Sequence, residues 1–372
     1  MTLIINRPKS GPQVHVLAIG VGSYRHLVGG RKPVRHFTFG LKQLTSPPRS
    51  VLAFVDWITR INHPSATLGT VELLVSPQLN YAKPDGKIAK VAEPSAANVK
   101  NAFDRWKDRC DSNTNNVAVF YCCGHGVERE SQFILLEDFG KSKNRLLENT
   151  VDVGKLYLAM NRCKARTQYY FMDTCRDILP KFYKMLSGDA PDLLDPWLDA
   201  ESRNNAALLL ATSGGGTAYG DPDPDMPTLF TQSLVRALDG LGSRKDAANW
   251  VVTMPDVMRA VTQLLPPEKQ RAEMRNCVGI SPFHILPCSP TVPVIIDCDP
   301  SAAVPQANLA LSRYRDSSDP TPAPSVRPSG WSYELPADFY NLKIDFPNGS
   351  YQHSETDLPA LPPGYNTAVV VS

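Results

Sequence analysis

Nowhere in this chain of 372 residues is there an apolar run of the roughly 20 residues needed to cross a bilayer. The opening Met1-Thr2-Leu3-Ile4-Ile5-Asn6-Arg7-Pro8 is too short in apolar residues for a secretory signal. No membrane partner is expected, and a cytoplasmic location is. Charge of one sign is missing as well: 39 basic residues face 37 acidic ones, a net of +2, with no long Lys/Arg run. Nothing is therefore gathered to neutralise a phosphate backbone, and nucleic acid is not an expected partner. The eight cysteines, at 110, 122, 123, 163, 175, 277, 288 and 298, contain no C-x-x-C pair and no framework spacing. In a reducing compartment most of them read as small buried apolar residues. Cys122 and Cys123 stand near His125, but adjacent residues of a strand point to opposite faces, which argues against a metal site. The run Ser213-Gly214-Gly215-Gly216 lacks the lysine and the spacing of a phosphate-binding loop. Neither a metal nor any other cofactor is expected.

What is present is an ordinary globular composition, 42% hydrophobic and 20% charged, in a chain long enough for one large domain and a smaller one. Up to residue 288, apolar strand-like runs alternate with amphipathic helix-like ones. Strands are expected at 14–21, 70–75, 116–123, 167–172, 206–212 and 283–286. Helices are expected at 50–61 with Ser50 as cap, 95–110 with Ser95 as cap, 153–163, 228–238 and 254–265. Strands apolar on both faces and separated by helices predict an α/β fold, a mostly parallel sheet with helices on both faces. After Cys288 the texture changes. Residues 289–372 hold thirteen of the 33 prolines, and four basic against nine acidic residues. Helical periodicity ends, and short β-like runs at 292–297, 308–314, 340–346 and 365–371 remain, with a Pro/Ser-rich loop expected at 317–330. This predicts two domains, 1–288 and a small C-terminal all-β, sandwich-like module at 289–372.

In sheets of this kind reactive groups gather where parallel strands end. Two such ends carry chemistry, Gly124-His125-Gly126 and Asp173-Thr174-Cys175-Arg176-Asp177. Cysteine catalysis uses a thiolate, so a nucleophilic cysteine needs a nearby base or cation and access to solvent. Cys175, just past an apolar strand and among polar Asp173, Arg176 and Asp177, is placed where a side chain leaves the sheet and meets water. His125, flanked by glycines, ends another strand. The amides of Gly126 and Cys175 are candidate donors to an oxyanion, the group whose stabilisation is usually the largest catalytic effect. The residue that orients the base is left open. Each residue alone is more often structural; both on successive strand ends of one α/β pattern make a dyad.

The combination resembles the caspase-like cysteine peptidases, the clan of caspases, metacaspases and their prokaryotic relatives. Caspases carry their nucleophile in a short Cys-centred signature with the histidine about 50 residues upstream. Here His125 precedes Cys175 by fifty positions. Tyr121-Cys122-Cys123-Gly124-His125-Gly126, Phe171-Met172-Asp173-Thr174-Cys175-Arg176-Asp177, and Ala211-Thr212-Ser213 followed by Leu229-Phe230-Thr231-Gln232-Ser233-Leu234 are similar to bacterial members. The resemblance covers about residues 13–288.

It implies a caspase-like fold and a cysteine endopeptidase acting on protein substrates. Cys175 is then the nucleophile, His125 the base, and Gly126 with the Cys175 amide the oxyanion hole. Asp173 stands where metacaspases place an acid of the S1 pocket, implying cleavage after Arg or Lys. Metacaspase-type pockets usually have a second acid; the aligned position here is Ser50, behind a basic insertion from Arg25 to Arg49. Asp221, Asp223 and Asp225 either substitute for it or simply solvate their loop. The long segment from Ile178 to Asn205 matches the loop whose cleavage or rearrangement switches relatives on, so a zymogen and an upstream activating protease or regulator are expected. Two other readings stay open: a catalytically idle caspase-like scaffold that binds partners, and an acyltransferase or ligase using the same dyad.

Overall fold

The structure, a computed structural model, describes residues 1–34, 38–83, 86–142, 144–178, 190–195, 205–277, 281–314 and 322–371. By packing, the chain forms two compact units, Met1–Val235 with Val261–Pro282, and Arg236–Ala260 with Phe283–Ser372. The second unit thus includes residues 236–260 along with the proline-rich tail.

The first unit is built on a seven-stranded sheet. In chain order its strands are β1 (Leu3–Asn6), β2 (Gln13–Val21), β3 (Thr67–Ser76), β4 (Val117–Gly124), β5 (Thr167–Thr174), β6 (Asn205–Leu210) and β7 (Glu273–Arg275). Their spatial order is β1-β3-β2-β4-β5-β6-β7. The five central strands are parallel, while β1 and β7 run antiparallel at the edges. The expected mostly parallel sheet is the one observed.

Among the described residues, four helices cover it: α1 (Ser46–Ile58), α2 (Ala96–Cys110), α3 (Val153–Ala159) and α4 (Leu229–Arg236). Alternation along β4 and β5 sends successive aromatics to opposite faces. Tyr121 and Phe171 meet Phe54 of α1, with ring centroids 4.4 and 5.5 Å apart. Phe120 meets Trp106 of α2 at 6.1 Å, and Tyr170 meets Tyr157 of α3 at 5.4 Å. Central strands buried on both faces in this way need an apolar run and not an alternating one, which is what the sequence has. Ser95 caps α2 as expected, its Oγ accepting the Asn98 amide at 3.4 Å. Ser50 is not a cap. Pro47 and Pro48 start α1 earlier, because proline lacks only an N–H that the first turn leaves unpaired anyway. Ser50 lies inside the helix, fully buried.

Two further differences follow from short or polar strands. β7 has three residues at an antiparallel edge and carries no apolar run. His284–Leu286, expected as the last strand, joins Ser243–Asp246 and Asn249–Val252 in a separate antiparallel sheet of the second unit. That unit also holds two β-sheets. One contains Thr291–Asp299, Ser325–Arg327, Gly330–Pro336 and Tyr365–Val370; the other contains Asn308–Arg313, Asp338–Asp345 and Ser354–Ala360. The Pro/Ser-rich stretch expected as a loop at 317–330 therefore contains a strand at Ser325–Arg327, while residues 315–321 lie outside the described residues. No helix among the described residues is long and apolar enough to cross a membrane.

Trp106 is fully buried against Phe103 and Phe120, and its indole N–H donates to the His15 carbonyl at 2.9 Å. Trp106→Ala should lower unfolding free energy by about 3–5 kcal/mol in denaturant titration with an unchanged m-value. A loss below about 1 kcal/mol would contradict its place in the core.

Candidate active site

The parallel pairing of β4 with β5 runs in register to the carboxyl ends of both strands, setting Asp173 beside Cys123 and Thr174 beside Gly124. One residue further on, the chain reaches His125 from one strand and Cys175 from the other. Neighbouring strands lie about 4.8 Å apart, so this register makes the two residues neighbours across fifty residues of sequence.

His125 is held at two points. Its backbone N–H donates to the Tyr24 hydroxyl at 2.6 Å, and its ring lies 4.9 Å from the buried Tyr24 ring. Its Nε2 is 2.7 Å from the Lys42 carbonyl. A carbonyl only accepts, so Nε2 carries the hydrogen and Nδ1 is the acceptor of the neutral ring. Burial lowers the imidazole's pKa below its ordinary 6.5, against opposing contributions from the Lys42 carbonyl and Asp177.

The thiol of Cys175 is capped by another segment. The Ala218 N–H donates to Sγ at 3.3 Å, and Sγ donates to the Ala218 carbonyl at 3.5 Å. Burial pushes the thiol pKa up to about 12; the Ala218 amide opposes this, and the negative charges of Asp177 and Asp173 add to it. Sγ is thus engaged by the Ala218 backbone and the Asp177 side chain, and among the described residues no hydrogen bond joins it to the His125 ring. Both groups are neutral at pH 7.

The capping segment is itself fastened. Arg176 is 3% exposed, with Nη1 donating to Glu273 at 2.6 Å and Nη2 donating to Glu128 at 2.5 Å. Glu128 in turn accepts the Gly215 N–H at 3.0 Å. The Thr217 hydroxyl donates to Asp177 at 2.6 Å, and the Arg176 N–H donates to the Gly216 carbonyl at 2.9 Å. Gly126 packs on the nucleophile's own backbone: a Cβ there would sit 2.3 Å from the Cys175 carbonyl oxygen, so only glycine fits. Gln132 donates to Thr174 Oγ1 at 2.7 Å and to the Cys175 carbonyl at 3.3 Å.

Asp173 and Arg176, the polar residues on either side of the nucleophile segment, are 2% and 3% exposed. Arg176 is paired with two carboxylates and the Asp173 carboxyl is held by hydroxyls, partners that the fold supplies from elsewhere and that let both be buried. Asp173 Oδ2 accepts from the hydroxyls of Thr228, of Thr231 at 2.5 Å and of Tyr121 at 3.3 Å. Burial raises its pKa, and the hydroxyl and thiol bonds oppose the rise. Its Oδ1 has no hydrogen-bond partner. Ser50 joins this cluster, its Oγ accepting the Thr228 N–H at 2.9 Å. Asp225 lies outside the cluster in an ion pair with Arg49 at 2.7 Å, and Asp221 accepts from Gln232 at 2.8 Å. Among the described residues no group of His, Cys, Asp and Glu is arranged to hold a metal. Most of the segment expected as a control loop, residues 179–189 and 196–204, lies outside the described residues.

The sequence reading missed Lys42, Tyr24 and Ala218. Lys42 and Ala218 act through backbone groups, which have no residue signature, and Tyr24 follows β2 at a distance of a hundred residues from His125.

Three comparisons bear on the chain. A family model described as the caspase domain matches residues 41–282, more than half of it. An uncharacterized protein of Sinorhizobium fredii, y4kE, is 28% identical over 305 residues, covering 75% of this chain and 87% of that protein. The crystal structure of caspase-1 from Spodoptera frugiperda is similar over 76% of this chain and 94% of its own, at TM-score 0.42 and 9% identity.

A thiol pushed up to about 12 has little thiolate at neutral pH, and its greater intrinsic nucleophilicity makes up only part of the deficit. Iodoacetamide should alkylate Cys175 of the resting protein about a hundredfold more slowly than free cysteine at pH 7. Thr217→Val, which removes the bond to Asp177, should speed that reaction about fivefold. Rapid labelling with an inflection near neutral pH would instead indicate a thiolate–imidazolium pair.

Proposed function

The chain belongs to the caspase-domain family, and on that footing we propose that it is a cysteine endopeptidase with Cys175 as nucleophile and His125 as base. The observation that supports the reading is the β4–β5 register, which sets Thr174 beside Gly124, one residue before Cys175 and His125. In the proposed cycle the thiol proton passes to His125 Nδ1 as Sγ bonds to the scissile carbonyl carbon. The Lys42 carbonyl holds the ring in the tautomer this requires and stabilises the imidazolium. The amides of Gly126 and Cys175 are assigned to the tetrahedral oxyanion. Collapse breaks the C–N bond, the leaving amine takes the proton from His125, and water then hydrolyses the thioester.

The resting arrangement is assigned to a form held in check. Sγ is engaged by Ala218, so attack needs the 213–218 segment to withdraw. Cleavage or movement of the 178–205 segment, by an upstream protease or regulator, is the proposed trigger. For specificity we assign Asp173 to the S1 pocket and an Arg or Lys side chain to P1. The unpartnered Oδ1 supports this, being the acceptor on which a cation gains most. One acid supplies the pocket, because Ser50 occupies the place of a second.

Profiling with a peptide library, before and after limited proteolysis, tests activity, P1 class and control together. Cleavage after Arg or Lys that rises on proteolysis and is absent in Cys175→Ala is expected. Asp173→Asn should lower kcat/KM for an Arg substrate at least tenfold while moving a P1-Gln substrate much less. The base works unprotonated and its pKa is lowered, so activity should be lost only as pH falls below 6.5. Faster cleavage after Asp than after Arg would overturn the specificity assignment. An unbroken chain with full activity unaided would overturn control by cleavage.

A further inference from the structure

The second unit has a cavity of about 430 Å³ of its own. This is within the roughly 300–1,000 Å³ of small-molecule sites. Its lining includes Arg244, Lys245, Arg259 and Arg313 beside Trp250 and Phe339. Segments 236–260 and 283–372 together carry eight basic and twelve acidic residues, a net of −4. Half of the bases in an acidic unit therefore surround one concavity.

Around Arg244, Lys245 and Arg259 the described carboxylates form ion pairs through Asp256 alone. Asp256 is shared between Arg259 at 3.3 Å and Arg244 at 3.7 Å, and it also accepts the Thr253 hydroxyl at 2.6 Å. Asp338 is turned to its neighbour's backbone, accepting the Phe339 N–H at 2.9 Å. Lys245 has no ion pair with any described residue; its Nζ lies 5.6 Å from the centroid of the Trp250 ring. Arg313 is oriented by the buried Tyr340, donating Nε–H to its hydroxyl at 3.1 Å and lying 5.8 Å over its ring. Like charges gathered in this way repel one another, and an anion placed among them relieves the repulsion. Trp250, Phe339, Leu361 and Pro362 supply an apolar wall beside them.

We infer that this cavity binds a small organic anion, a carboxylate or phosphate head among the four cations and an apolar or aromatic body against Trp250 and Phe339. None of the lining residues belongs to the unit that carries Cys175, so binding does not need Cys175.

Calorimetric titration of the full chain tests it with three probes: phenyl phosphate, inorganic phosphate and benzyl alcohol. Saturable one-to-one binding of phenyl phosphate is expected, several-fold tighter than that of inorganic phosphate, with none for benzyl alcohol. Lys245→Gln and Arg313→Gln should each weaken it about three- to tenfold, and Cys175→Ala should leave it unchanged. Lys245 is exposed, so Lys245→Gln carries the test even if Arg313→Gln fails to fold. Absence of saturable phenyl phosphate binding, equal binding of benzyl alcohol, or affinity unchanged in Lys245→Gln would overturn the inference.

Discussion

The in-register parallel pairing of β4 with β5 is the constraint on which the rest depends. It is maintained along the whole of both strands by a core that packs aromatics on each face, Phe54 against Tyr121 and Phe171, Trp106 against Phe120. A shift of one residue would turn these side chains to the wrong layers. The same register that satisfies the core therefore fixes which residues emerge together at the strand ends. Gly126 extends the constraint past the sheet, since the close approach of its Cα to the Cys175 carbonyl excludes any side chain there.

Beyond the strand ends, the site is governed by desolvation. Burial makes the charged form of each group less favourable, so the thiol rises and the imidazole falls, and the two remain neutral. A neutral pair gains little from mutual attraction, which leaves Sγ available to the Ala218 backbone. The segment bearing Ala218 is tied down through Arg176, Glu128 and Asp177. Residues immediately after the nucleophile thus fasten the segment that covers it, and any change in that network reaches the thiol directly.

Much of this was legible in the sequence, for identifiable reasons. Central strands are apolar throughout and stand out from their helices, so the mostly parallel sheet and the two reactive strand ends could be read. Short polar strands could not: β7 has three residues, and Ser354–Ala360 is largely polar. The cap on α1 was misplaced because Pro47 and Pro48 set the start of the helix ahead of Ser50. Cys175 was read as leaving the sheet into water, whereas burial governs its thiol; the hydroxyls of Thr228 and Thr231 that hold Asp173 lie more than fifty residues away and could not be paired with it from sequence. Orientation of His125 by the Lys42 carbonyl has no counterpart in residue type at all.

The central claim is that Cys175 and His125 act as one chemical unit. Peptide mapping by mass spectrometry after incubation with an arginyl chloromethyl ketone tests it most directly. The account predicts a single adduct, on Cys175, whose formation slows at least a hundredfold in His125→Ala. An adduct on another residue, none at all after limited proteolysis, or a rate indifferent to His125 would contradict it.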